Sequence, residues 1–74
     1  MTDFGSAISA LKNGDAVTRQ SWGDGKVWLK LQVPDEHSKM SLPYIYIEND
    51  SGHRAPWFPS QMDMLATDWE ILYP

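Results

Sequence analysis

Apolar positions near the start of the chain recur at helical spacing. Phe4, Ala7, Ile8 and Leu11 fall at i, i+3, i+4 and i+7, while Asp3, Ser6, Ser9 and Lys12 lie on the opposite side. The spacing predicts a short amphipathic helix. Thr2 or Asp3 caps its start, and Asn13-Gly14 ends it, Gly14 being suited to the left-handed position past the last turn. The period then drops to two. Asp15 to Arg19 reads as a short strand with Val17 and Arg19 on one face. Ser21-Trp-Gly-Asp-Gly25 reads as a turn, its Asp24-Gly25 pair favouring a tight hairpin. Val27 to Val33 is the clearest strand, with Val27, Leu29, Leu31 and Val33 on one face and Trp28, Lys30 and Gln32 on the other. The aliphatic row predicts core, which makes Trp28 the unexpected residue.

Pro34 to Lys39 is a polar loop. Leu42 to Glu48 reads as a second strong strand, and Pro43 near its start suggests an edge or a bulge, because proline cannot donate to a ladder. Asn49-Asp-Ser-Gly52 is a turn, so residues 42–58 form a hairpin that returns through Arg54 to Phe58. Ser60 caps a short helix, with Asp63 at the third helical position completing a box-like pattern and Pro59 fixing the approach. Thr67 to Tyr73 is a final strand. The pattern predicts one α+β domain over residues 1–74, a small antiparallel β-sheet with an N-terminal helix and a short helix before the last strand.

Size and composition then limit what such a domain does. A chain of 74 residues buries only about 60% of its unfolded surface, and a core of that size supplies about 3–5 kcal/mol. It has no Cys for disulfides, and His37 and His53 lack the thiolates that accompany structural zinc, so no metal and no cofactor are expected. Oligomerisation is the remaining stabiliser, and 42% apolar residues with 4 Trp, 3 Tyr and 2 Phe favour it. A net charge of −4 argues against a nucleic-acid polymer, which needs a continuous basic face. A small anion needs only two cations and a helix N-terminus. The chain shows neither a membrane-length apolar run nor the basic start and apolar middle of a signal peptide, and it reads as cytosolic.

Candidate chemistry points to binding rather than catalysis. No Ser stands in a nucleophile-elbow context. Asp63, Asp68 and Glu70 offer a carboxylate pair, but a helix cap explains Asp63. His53 beside Arg54 is an ordinary turn histidine, and Gly23 and Gly25 belong to the hairpin turn rather than a phosphate loop. Two aromatic clusters remain. Arg19-Gln-Ser-Trp22 with Lys26 and Trp28 pairs each cation with an indole, the combination a phosphorylated purine needs. The stretch from Ala55 to Glu70 carries Trp57 and Trp69, which read as core. Trp22 and Trp28 read as a site or an intersubunit surface, since flat rings stack on bases at about 1–3 kcal/mol each.

These residues also carry a resemblance. The opening Phe4-x-x-Ala7-x-x-x-Leu11-x-x-Gly14, then Val17-x-Arg19-x-x-Trp22, and above all Pro56-Trp57-x-x-Ser60-Gln61-x-Asp63-Met64-x-Ala66-x-Asp68-Trp69-Glu70 resemble the second Thoeris anti-defence protein family of phages and prophages. The resemblance implies a sponge that acts in the cytoplasm of the infected bacterial host. Such a protein is a homo-oligomer, typically a tetramer, that holds a cyclic ADP-ribose isomer (the gcADPR type made by TIR-domain enzymes) without degrading it. Some members also capture cyclic dinucleotides. On that basis Trp22 is expected to stack on a purine, and Arg19 and Lys26 to neutralise the pyrophosphate, with Trp28 beside them. The amides opening the helix at Ser60 add an anion-binding edge, Gln61 and Asp63 read ribose hydroxyls or a base edge, and Met64 packs on the ligand. Two rival readings are an enzyme that degrades the same signal and a phage protein–protein interaction module.

Overall fold

A computed structural model describes residues 2–23, 25–34 and 42–72. Helix α1 (Phe4–Lys12) begins where expected: Asp3 is its cap, and the Asp3 carboxylate accepts the Ser6 amide at 2.9 Å. Gly14 follows Asn13 with φ 96°, a backbone state that side chains resist. Ala7 and Leu11 are buried as their spacing predicts, Ala10 joins them, and Phe4 and Ile8 pack from the margin.

Five strands form one antiparallel sheet: β1 (Ala16–Arg19), β2 (Val27–Gln32), β3 (Tyr44–Asn49), β4 (Arg54–Pro56) and β5 (Trp69–Leu72), in the order β4-β3-β2-β1-β5. The short helix α2 (Gln61–Leu65) lies on the connection that carries the chain from one edge strand to the other. The architecture is α+β, with an N-terminal helix and a short helix before the last strand, as the pattern predicts.

Register assigns the two faces. Val17 pairs with Leu29 and Ile71, Leu29 with Ile47, and Leu31 with Ile45, so these aliphatic side chains share the face covered by α1. Val17, Leu29 and Trp69 are fully buried there with Leu11. Trp28, Lys30, Gln32, Tyr44, Tyr46, Glu48 and Arg54 occupy the opposite face through the pairings Trp28 with Glu48, Lys30 with Tyr46 and Gln32 with Tyr44.

The structure differs from the sequence pattern at three places. Residues 20–26 separate β1 from β2, and they include a 3₁₀ turn (Gln20–Trp22), so the connection is wider than a tight Asp24-Gly25 hairpin; Asp24 itself lies outside the described residues. Val33 falls beyond the end of β2 and is 62% exposed, although alternation had put it in the core. Pro43 precedes β3 instead of interrupting it. No ladder donor is lost there, and β3 is an interior strand flanked by β2 and β4 rather than an edge. Most of the predicted polar loop, residues 35–41, lies outside the described residues.

Candidate functional site

Where β1 leaves the sheet, the 3₁₀ turn places Trp22 against the end of the core. Its ring stands edge-on to Trp57, with centroids 6.3 Å apart and planes at 71°, and edge-on to Trp69 at 5.4 Å and 79°. Trp57 and Trp69 meet edge-on in turn at 6.0 Å, and Phe4 tilts against both. Edge-to-face contact is the arrangement that the ring quadrupole favours. Trp69 is buried at the centre of the cluster, and its indole N–H donates to the Asp63 carbonyl at 2.9 Å. Trp22 and Trp57 are half-buried and pack against the core from its margin.

Arg19, the last residue of β1, closes one side of the cluster. Its Nε donates to Asp68 Oδ1 at 2.8 Å and its Nη1 to Asp63 Oδ1 at 3.0 Å, with the guanidinium 6.0 Å from the centre of the Trp69 ring. The second oxygen of Asp68 accepts the Ser21 amide at 3.1 Å, and the Asp68 carbonyl accepts the Gln20 amide at 3.0 Å. The hydrogen bond from Arg19 holds Asp68 below the usual carboxylate range. Asp63 also lies below that range. Burial opposes its ionisation, but hydrogen bonds from the Ser60 backbone, the Ser60 hydroxyl and Arg19 outweigh the burial. The same contacts, led by that with Asp68, raise Arg19.

Helix α2 opens with the capping box that the Ser60/Asp63 spacing predicts. The Asp63 amide donates to Ser60 Oγ at 3.1 Å, and the Ser60 amide donates to Asp63 Oδ2 at 3.0 Å. The outward side of this helix is apolar: Met62 is 77% and Leu65 80% exposed, and Phe58 just before the helix is 84% exposed. A groove of about 490 Å³ lies between the start of β3 and the segment leaving β4, lined by Tyr44, Ile45, Pro56, Trp57 and Phe58. That volume lies within the range of small-molecule pockets, and the walls are mostly aromatic.

The residues expected at the site from sequence are thus distributed unequally. Arg19, Ser60 and Asp63 are linked where β1, α2 and β5 meet, with Trp22 against the neighbouring Trp69, whereas Gln61 and Met64 lie exposed on α2. Among them Arg19, Ser60 and Asp63 are already bonded to one another or to Asp68. Lys26 is exposed at the entry to β2, where its carbonyl accepts the Asp50 amide. Trp28 is not brought to the Trp22 side. It lies across the sheet and donates its indole N–H to Glu48 at 3.2 Å, while Glu48 also pairs with Arg54. Trp57, read from the sequence as core, does pack against the core cluster and also lines the groove with Phe58. The available signal was Pro56-Trp57-Phe58-Pro59, in which prolines on both sides keep a short aromatic segment extended and out of a central strand. Among the described residues no three His, Asp or Glu side chains gather as a metal site. No helix of the described residues is long and apolar enough to cross a membrane.

Fold and surface together define a small α+β domain whose distinctive feature is an aromatic wall rather than a cluster of reactive groups. The chain belongs to the Thoeris anti-defense 2-like family, whose domain profile matches residues 2–72. It is 30% identical over 82 residues to Thoeris anti-defense 2 of Bacillus phage SP01, an alignment that covers 93% of this chain and 92% of that protein. The family is one of phage anti-defence proteins, in agreement with the resemblance carried by the sequence motifs.

Proposed function

We propose that this protein is a non-enzymatic sponge for a nucleotide signal of the Thoeris system, a cyclic ADP-ribose isomer of the gcADPR type, with cyclic dinucleotides as secondary ligands. By holding the signal intact it keeps the immune effector inactive. The observation that carries this reading is the aromatic wall: half-buried Trp22 stands edge-on to Trp57, and Trp57 continues into the groove lined by Tyr44 and Phe58. Stacking surfaces of this kind suit a purine at about 1–3 kcal/mol per base. Trp22 and Trp57 supply the stack, Lys26 a cation for the pyrophosphate, and Gln61 and Met64 the adjoining polar and apolar contacts. Ser60 and Asp63 contribute by capping α2 and setting its position.

The protein acts as a homo-oligomer, a tetramer in the fullest form of this proposal. The exposed side chains Phe58, Met62 and Leu65 form an apolar surface that a second copy would cover, and assembly would enclose a ligand larger than one chain can bury. Trp28, Lys30 and Arg54, on the other side of the sheet, would reach a ligand only from a neighbouring subunit.

The test combines affinity with recovery. Protein is titrated with a purified cyclic ADP-ribose isomer by calorimetry, then heated, and the released nucleotide is analysed by mass spectrometry. Tight binding with unmodified nucleotide recovered supports the sponge. Conversion to a linear or cleaved product would identify a degrading enzyme instead. Absence of both binding and turnover would leave a protein–protein module as the better account.

A further inference from the structure

We propose that Asp68, braced by Arg19, is a positioning residue that holds Trp22 in the stacking orientation through the turn that precedes it, and that Arg19 works from within this clamp and does not receive the ligand's phosphate. The inference rests on the sponge reading for its functional meaning, but its geometry is independent of any ligand.

Three observations carry it. First, both oxygens of the Asp68 carboxylate are committed: Oδ1 to Arg19 Nε at 2.8 Å and Oδ2 to the Ser21 amide at 3.1 Å, while its carbonyl takes the Gln20 amide at 3.0 Å. The residue before β5 therefore grips the residues immediately preceding Trp22. Second, the turn needs such a grip. Gly23 follows Trp22 with φ 97°, a state that glycine enters and leaves freely and that does not by itself fix the turn, and the turn's own closing bond, from the Gly23 amide to the Gln20 carbonyl, is long at 3.3 Å. Third, the charge is of the wrong sign for a phosphate site. One guanidinium faces two carboxylates, Asp63 and Asp68, with side-chain exposures of 16%, 15% and 22%. A cluster of net charge −1 in a partly desolvated setting repels an anion. Its fork geometry, bridging two carboxylates on different elements, is the use to which arginine is suited and lysine is not.

The two roles of Arg19 predict opposite signs for one substitution. If Arg19 bound phosphate, Asp68→Ala would remove a competing negative charge and leave affinity unchanged or improved. If Asp68 and Arg19 form a clamp, Asp68→Ala weakens affinity at least tenfold even though the site becomes more positive, because Trp22 must be ordered on binding. Arg19→Lys keeps the charge and loses the fork, so it weakens binding to a similar extent.

The experiment measures affinity for the purified cyclic ADP-ribose isomer, together with the near-ultraviolet circular dichroism of ligand-free protein, for wild type, Asp68→Ala, Asp68→Asn and Arg19→Lys. The clamp predicts a loss of affinity with Asp68→Ala, partial recovery with Asp68→Asn, which keeps one acceptor, and an altered tryptophan signal. That signal change should vanish when Asp68→Ala is made in a Trp22→Phe background. If Asp68→Ala fails to fold, the isosteric Asp68→Asn carries the same comparison. Undiminished affinity in the Asp68 variants, or a tryptophan spectrum indifferent to them, overturns the clamp. Failure of wild-type protein to bind overturns the sponge instead, and the spectrum of ligand-free protein still decides on the clamp.

Discussion

Trp22 meets Trp69 edge-on, with ring centroids 5.4 Å apart and planes at 79°. One of these rings is fully buried and the other only half, so the same contact joins scaffold to surface. Replacing them has different consequences. Trp69→Ala opens the centre of the core at a cost of about 3–5 kcal/mol, comparable with everything a domain of this size has available, and the variant should be unfolded. Trp22→Ala loses two edge contacts worth about 0.5–1.5 kcal/mol each and should stay folded at reduced stability while losing most nucleotide affinity. Circular dichroism and ligand titration on the same samples check both outcomes. A folded Trp22→Ala with full affinity would remove that ring from the site.

Acid should destabilise the protein through a defined set of carboxylates. Asp68 is held below its ordinary range by Arg19, Asp63 by Ser60 and then Arg19, Glu48 by Arg54 and Asp3 by Ser6. A group whose pKa is depressed on folding contributes stability above its unfolded value, about 4 for Asp and Glu, and loses that contribution as pH falls through the folded value. Denaturant midpoints should therefore be level from pH 7 to about 5 and fall steeply below about 4. The acid limb should be shallower in Asp68→Asn. An acid limb unchanged by that substitution would place the titrating groups elsewhere.

The apolar side of α2 should respond in assembly rather than folding. Met62→Glu and Leu65→Glu change side chains that are 77% and 80% exposed, so each should alter chain stability by no more than about 0.5 kcal/mol. If this surface meets a second copy, light scattering should show the assembly falling toward the 8.4 kDa chain. An unaltered assembly mass in both variants would locate the interface on another face.

Lys26 is exposed, so its removal tests charge without disturbing packing. Lys26→Ala should leave the melting curve unchanged and weaken nucleotide binding by about 1–3 kcal/mol, the range for charge-assisted hydrogen bonds. The loss should shrink as salt rises, because an exposed ion pair is screened. Equal affinity in the variant at low salt would show that the anion is held elsewhere.

Loss of the cap on α2 should uncouple the helix from the aromatic cluster. Ser60→Ala removes the acceptor for the Asp63 amide at 3.1 Å, at a cost of about 0.5–2 kcal/mol. Because the Asp63 carbonyl also holds the Trp69 indole, hydrogen exchange should accelerate at both the start of α2 and the start of β5. Acceleration confined to α2 would show that the indole bond does not transmit the change.

Local signals in the sequence determined much of this protein. Periodicity and caps were enough for α1 and for the Ser60/Asp63 box, because those features depend on residues three or four apart. Alternation was enough for the buried faces of β1 and β2, since a strand has only two sides. The closing motif carried the family, which the domain match bears out. Tertiary structure decided what depends on partners distant in the chain. Arg19 and Trp22 look like an exposed cation–indole pair until β5 and α2 are placed beside them; Asp68 and Asp63, 49 and 44 residues away, then turn the cation into a brace. Alternation already put Trp28 on the side of β2 away from the aliphatic row; what the tertiary structure added is that Trp22 folds back against Trp57 and Trp69 on the core side, so the sheet separates the two rings. Trp57 reads as core and packs against it, but it also lines the groove, because it follows the edge strand β4 beside Tyr44 and Ile45. Side-chain pattern specifies which face of an element is apolar; which charges find each other, and which rings remain uncovered, is set by the topology that brings distant elements together.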